Sequence, residues 1–152
     1  MKVIAIDPGV SGGIAAASSV VETPKLYSMP ETDEDIVVLL KQLYEPNACF
    51  MIEQVSGFIG AGHPGSRMFT FGHNAGVLRG AALALTPDVT MVRPRVWQKV
   101  LGFTGTSSSM GKTAWKNQLK ERAQAYWPDL HITLKTSDAA LILHYRLFCY
   151  QP

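Results

Sequence analysis

The first apolar run of the chain, residues 2–6 (KVIAI), is short and rich in β-formers, and it stops at Asp7. That is the pattern of a buried central strand with an acid at its mouth. DPGVSGG then reads as a turn, and residues 13–21 and 24–29 as two further strands of an antiparallel meander. Ile36, Leu39, Leu40 and Leu43 recur at helical spacing behind Thr32, a candidate N-cap, and Asp33, Glu34 and Asp35, which suit the positive end of a helix dipole. A helix over 33–44 follows. ACFMIE repeats the opening device, a buried strand over 48–52 that delivers Glu53 at its end.

After a Gly-rich loop to Gly65, residues 66–85 are helical in pattern, with Gly72, Gly76 and Gly80 four apart beside Phe69 and Leu83. Glycines lower helix propensity but admit a close backbone approach, so this face is expected to pack on the sheet or on a second copy of the chain. A strand is predicted over 88–92 and a helix over 93–102, with Pro94 near its first position. TGTSSSMG (104–111) lacks apolar periodicity and reads as a mobile segment. A helix over 112–126 presents Trp115, Leu119, Ala123 and Tyr126 on its apolar face, flanked by Lys112, Lys116 and Lys120; a largely apolar helix over 137–148 closes the chain. The order βββ-α-β-α-β-α-α-α predicts an α/β domain on a mixed five-stranded sheet.

With 152 residues, 47% hydrophobic and 17% charged, the chain makes one domain, 1–152, with a real core. No apolar run approaches the roughly 18 residues of a membrane span, and Asp7 breaks the only N-terminal apolar stretch, so a cytoplasmic protein is expected. Cys49 and Cys149 lack paired-ligand spacing and are expected as reduced core thiols. The net charge of +2 hides a split. Residues 1–60 hold eight acids and three bases, net −5, whereas residues 61–152 hold eleven bases and four acids, net +7. Such asymmetry points to a polyanionic partner.

Three acids stand where the pattern calls for apolar or neutral residues. Asp7 and Glu53 end buried strands, and Asp138 opens a buried helix. On pattern alone they also fit a turn initiator, a strand terminus and a dipole-compensating acid. Brought together, they would repel and raise one another's pKa unless a cation neutralised them. Mg²⁺, which prefers oxygen ligands, would suit, and a nuclease or phosphotransferase is the natural reading. Residues 93–122 add seven bases (Arg93, Arg95, Lys99, Lys112, Lys116, Lys120, Arg122) against Glu121 alone, a phosphate-tracking pattern. Two nucleotide-loop imitations fail. GAGHPG at 60–65 begins seven residues after Glu53 and contains Pro64, and residues 105–113 miss the P-loop spacing by one, so no nucleotide cofactor is expected.

IAIDPGVSGGIA (4–15), IEQVSGF (52–58), MFTFGHNAGVLRGAA (68–82), VRPRVWQK (92–99), GKTAWK (111–116) and SDAALIL (137–143) together resemble the RuvC-type Holliday junction resolvases, most closely the compact phage and organellar branch. The likeness runs from residue 3 to about 147, with the motifs in family order. It implies an RNase H-like fold with helices on both faces of the sheet. It also implies a homodimer, and Mg²⁺-dependent cutting, with Mn²⁺ able to substitute, of two opposed strands of a four-way DNA junction in recombination and repair. Asp7, Glu53 and Asp138 would be the metal-binding carboxylates. The family's further Asp or His, three residues before the last Asp, is Lys135 here, which as an ammonium cannot ligate Mg²⁺ but would contact the scissile phosphate or orient water. Phe58 is the aromatic nearest the family's junction wedge, a role the resemblance leaves open. Arg67, Arg93, Arg95, Lys99, Lys112, Lys116 and Lys120 would hold the arms. A phage or bacterial cytoplasm is the expected location, or an organellar matrix if a transit segment has been removed.

Three alternatives stand beside this reading. An RNase H-fold nuclease acting on flaps or RNA–DNA hybrids would share the site. A junction-binding module that has lost a ligand would share the surface. An actin-like kinase, whose phosphate loop resembles DPGVSGG, would need two related domains where this chain supplies one.

Overall fold

A computed structural model describes residues 1–55 and 65–151. Five strands form one sheet: β1 (Val3–Asp7), β2 (Gly13–Ala17), β3 (Lys25–Ser28), β4 (Cys49–Glu53) and β5 (Val89–Val92). Their order is β3-β2-β1-β4-β5, antiparallel from β3 to β1 and parallel from β1 through β4 to β5. Strands β1 and β2 are buried along their whole length, which is why they carry apolar residues on both faces instead of alternating. The mixed sheet is as predicted. The second strand is shorter than the pattern suggested, ending at Ala17, and residues 18–22 turn to β3.

Helices cover both faces. α1 (Asp33–Leu43) begins at Thr32, whose Oγ1 accepts from the Asp35 N–H at 3.1 Å, with three acids in its first turn. With α2 (Gly65–Leu85) it covers Ile4, Ile6, Ile14, Phe50 and Ile52 through Ile36, Leu40, Leu43, Leu78 and Ala82. On the opposite face, α3 (Pro94–Val100), α5 (Lys112–Tyr126) and α6 (Ser137–Phe148) bring Trp97, Trp115, Leu119 and Leu141 to Val3, Ala5, Ala15, Ala17 and Met51. Ala5, Ala15 and Ala17 share this core with Ala139 and Ala140, and α6 is buried from Ser137 to Leu143.

Three expectations change. The segment expected to be mobile contains a short helix, α4 (Ser107–Met110), stitched by a reciprocal capping box between Thr106 and Ser109. The glycine face of α2 does not pack on the sheet: a Cβ at Gly72, Gly76 or Gly80 would meet nothing within 4 Å, and Phe69 and Leu83 beside them are 75% and 49% exposed. The buried stripe of α2 is instead Asn74, Leu78 and Ala82. Cys49 is a buried free thiol as expected, but Cys149 is exposed, because it lies just past the end of α6. Among the described residues no helix is long and apolar enough to cross a membrane.

Candidate functional site

Strands β1 and β4 run side by side with Ile6 opposite Ile52, so Asp7 and Glu53 are the next positions along two adjacent parallel strands. Val3, Ala5, Cys49 and Met51 face the α6 side, and the two acids share that parity. Asp138 reaches the same place from the first turn of α6, which lies across β1 and β2. Its position is set by a close approach. Gly13, the antiparallel partner of Asp7, sits beneath the segment leading into α6, and a Cβ there would lie 2.6 Å from the Lys135 carbonyl oxygen and 2.8 Å from that of Tyr27. Only glycine lets the Lys135 backbone come so near.

Burial and mutual repulsion dominate the electrostatics. Asp7 is 8% exposed and Asp138 6%. Desolvation, then the charges of Asp138 and Glu53, push the Asp7 carboxyl well above the usual carboxylate range, with Lys116 opposing. Desolvation raises Glu53 to about 7, against the indole hydrogen bond of Trp97 and aided by Asp138. The neutralising group on hand is Lys116. Its Nζ lies 2.6 Å from Asp138 Oδ2, while the Ser137 hydroxyl donates to Asp138 Oδ1 at 2.9 Å. Burial pulls the Lys116 ammonium down, but Asp138, Asp7 and Glu53 outweigh it and leave its pKa raised. Trp97 Nε1 donates to Glu53 Oε2 at 2.7 Å. With two of the three carboxylates turned toward internal partners, no three His, Cys, Asp or Glu among the described residues are gathered tightly enough to enclose an ion. The donor set nonetheless suits a hard divalent cation: three carboxylates against one ammonium leave an excess of negative charge in a desolvated cleft.

The cleft, about 330 Å³, is lined by Glu53, Asp138, Lys116 and Trp115 together with Gln98, Ser107, Ser108 and Lys112. Lys112 also borders a neighbouring cavity of about 570 Å³ between the β1–β2 turn and the start of α2, where Arg67, Thr70 and Phe71 line the wall. Arg93, Arg95 and Lys99 are exposed on and beside α3, and Lys120 is half-buried on α5. None of Arg67, Arg93, Arg95, Lys99, Lys112, Lys120 or Lys135 forms an ion pair with another described residue.

Two basic residues are not where the pattern put them. Lys116 belongs to the carboxylate cluster, not to an outer stripe with Lys112 and Lys120. Arg122 is spent internally, donating to the Leu101 carbonyl and lying over the Phe103 ring. Lys135 is exposed and does not line the cleft; only its backbone approaches the site, over Gly13. Phe58 lies outside the described residues. The pattern gave no sign of Trp97 as a partner for Glu53, although an indole on a buried stripe needs an acceptor.

No protein-family model matches the chain, and no curated protein is recognisably similar in sequence. Among solved structures, the chain is similar to Thermus thermophilus RuvC at 13% identity, covering 96% of this chain and 95% of that one, with a TM-score of 0.61. It is also similar to T. thermophilus RuvC in complex with a Holliday junction substrate at 14% identity, covering 96% and 94%, with a TM-score of 0.61. The chain has the RNase H-like fold of the RuvC resolvases over nearly its whole length.

Proposed function

We propose that this chain is a structure-specific DNA endonuclease that resolves four-way junctions by divalent-metal-dependent phosphodiester hydrolysis, acting as a homodimer. The observation that carries the reading is the convergence of Asp7, Glu53 and Asp138 on one sheet face of a RuvC fold. A neighbour of the same fold is seen on a Holliday junction, and Lys112, in the wall of this chain's acidic cleft, forms no ion pair among the described residues. Two copies related by a two-fold match a junction with two opposed strands to cut, and the open Gly72/Gly76/Gly80 face of α2 is available for that contact.

In this reading Asp7, Glu53 and Asp138 hold Mg²⁺, or Mn²⁺ in its place. A divalent ion so bound supplies Lewis-acid activation and neutralises charge on the phosphate. Trp97 fixes the Glu53 carboxylate through Oε2. Lys116, in the wall of the same cleft and paired with Asp138, would supply an ammonium to the scissile phosphate. Lys112 and Arg67 guide the strand along the two cavities, and Arg93, Arg95, Lys99 and Lys120 hold the arms through phosphates without reading sequence. Water adds across the P–O3′ bond, leaving a 5′ phosphate and a 3′ hydroxyl that can be religated.

The test is a synthetic four-way junction with duplex, flap and RNA–DNA hybrid competitors, in Mg²⁺ and in EDTA. Paired nicks in opposed strands are expected in Mg²⁺ alone. Asp7→Asn should remove several kcal/mol of transition-state stabilisation, about a thousandfold in rate, while junction binding persists. Preferential cutting of flaps or hybrids would move the substrate to the neighbouring class. Binding without cutting in either Mg²⁺ or Mn²⁺ would make the chain a junction-binding module.

A further inference from the structure

Past Asp7 the chain leaves the sheet through Pro8 and Gly9. Pro8 has no N–H, so the Gly9 amide is the first backbone donor beyond the acid that anything can hold. Asn74, on α2 and 7% exposed, takes it: its Oδ1 accepts from the Gly9 N–H at 2.7 Å across 65 residues of sequence. One turn earlier on α2, Phe71 closes the other side. A Cβ on Gly9 would lie 2.9 Å from Phe71 Cε2, and Gly9 has φ +113°, a conformation that favours glycine. The Gly9 carbonyl in turn accepts from the Gly12 N–H at 2.9 Å, closing the turn that leads into Gly13, the strand partner of Asp7. Asn74 stands at the head of the buried stripe Asn74, Leu78, Ala82, where spacing calls for an apolar residue. A polar side chain in such a position costs stability unless its partner needs it.

We infer that Asn74 is a positioning residue for the candidate metal site, pinning the Asp7-Pro8-Gly9 turn to α2 so that the Asp7 carboxylate stays in place against Glu53 and Asp138. The assignment rests on the proposed metal-site reading. Outer contacts that orient a ligand carry much of an ion's affinity, although they never touch it.

The test compares Asn74→Leu, which keeps the branched shape and loses the acceptor, with Asn74→Asp, which keeps an acceptor for the Gly9 N–H. Mg²⁺ affinity is read by calorimetry, Gly9 amide exchange by NMR, and junction binding in EDTA alongside. In Asn74→Leu the Gly9 amide should lose its protection and Mg²⁺ affinity should fall about tenfold or more. Cleavage should lose kcat with KM unchanged, and junction binding in EDTA should hold. Asn74→Asp should recover the amide protection and most of the affinity. If Asn74→Leu does not fold, Asn74→Ala carries the same readouts with no acceptor and no added volume. An unprotected Gly9 amide combined with wild-type Mg²⁺ affinity overturns the inference while leaving the proposed function standing. A wild-type chain that binds no divalent ion overturns both.

Discussion

Glu53 and Lys116 sit a few ångströms from partners of opposite consequence, and each makes the site's chemistry measurable. An unfolded Glu ionises near 4.5, whereas folded Glu53 does so at about 7. Between those values the folded, ion-free chain holds more protons than the unfolded one, so this group's contribution to stability is complete below the lower value and is lost as pH rises through the upper. Asp7, raised in the same direction, adds to the effect. A divalent ion binds the ionised form, so the gain in Tm on saturating with Mg²⁺ should be larger at about pH 8 than at about pH 5, with protons released on binding. A gain independent of pH across that range would count against the carboxylates as ligands. Lys116→Met should destabilise the ion-free protein by about 2 kcal/mol, less than for a fully buried pair because a third of the lysine side chain, 33%, is exposed. Mg²⁺ should restore most of that loss, and an unchanged Tm without ion would show that the pair contributes nothing.

At the scale of elements, the segment leading into α6 comes close to β2 at Gly13. Gly13→Ala would drive a methyl into the Lys135 and Tyr27 carbonyls, lifting α6 and carrying Asp138 away from Asp7. The expected cost is about 3 kcal/mol, at the upper end for overpacking, with Mg²⁺ affinity falling alongside; a variant with native Tm would show that α6 has room to spare. The elements themselves were legible because their signals are local: an apolar run ending in an acid for β1 and β4, Thr32 before three acids for α1, a four-residue recurrence for α5. Tertiary contacts were not. Lys112, Lys116 and Lys120 are equivalent in the sequence, and only the approach of α5 to α6 sends the middle one inward. The α2 glycines left two partners open, and only the sheet is ruled out by the fold, since spacing identifies a face without saying what covers it. Asn74 did leave a trace, a polar residue at the head of an otherwise apolar i, i+4, i+8 stripe.

Across the whole molecule, charge is divided by depth as well as by sequence. The acids of the site are sunk between sheet and helices, while Arg93, Arg95 and Lys99 stand in solvent. Junction binding should therefore be strongly salt-dependent. Arg95→Ala and Lys99→Ala should each flatten the slope of log K against log salt by about 0.9 if each residue neutralises one phosphate. An unaltered slope would place the DNA elsewhere. The split in net charge between the halves of the chain was visible from the start, but which bases are free was not, since Arg122 and Lys116 turn inward through contacts made only in the folded domain.

The register of β1 against β4 has one more consequence, for folding. Ile6 opposite Ile52 fixes the depth and the face on which both strand-borne acids emerge. Sliding either strand by one residue would turn its acid to the α1 and α2 side and bury a charge among Ile, Phe and Leu. A mispaired chain would thus lose its carboxylate cluster altogether, and an ion held at the proposed site would stabilise only molecules whose most distant strand pairing has formed correctly.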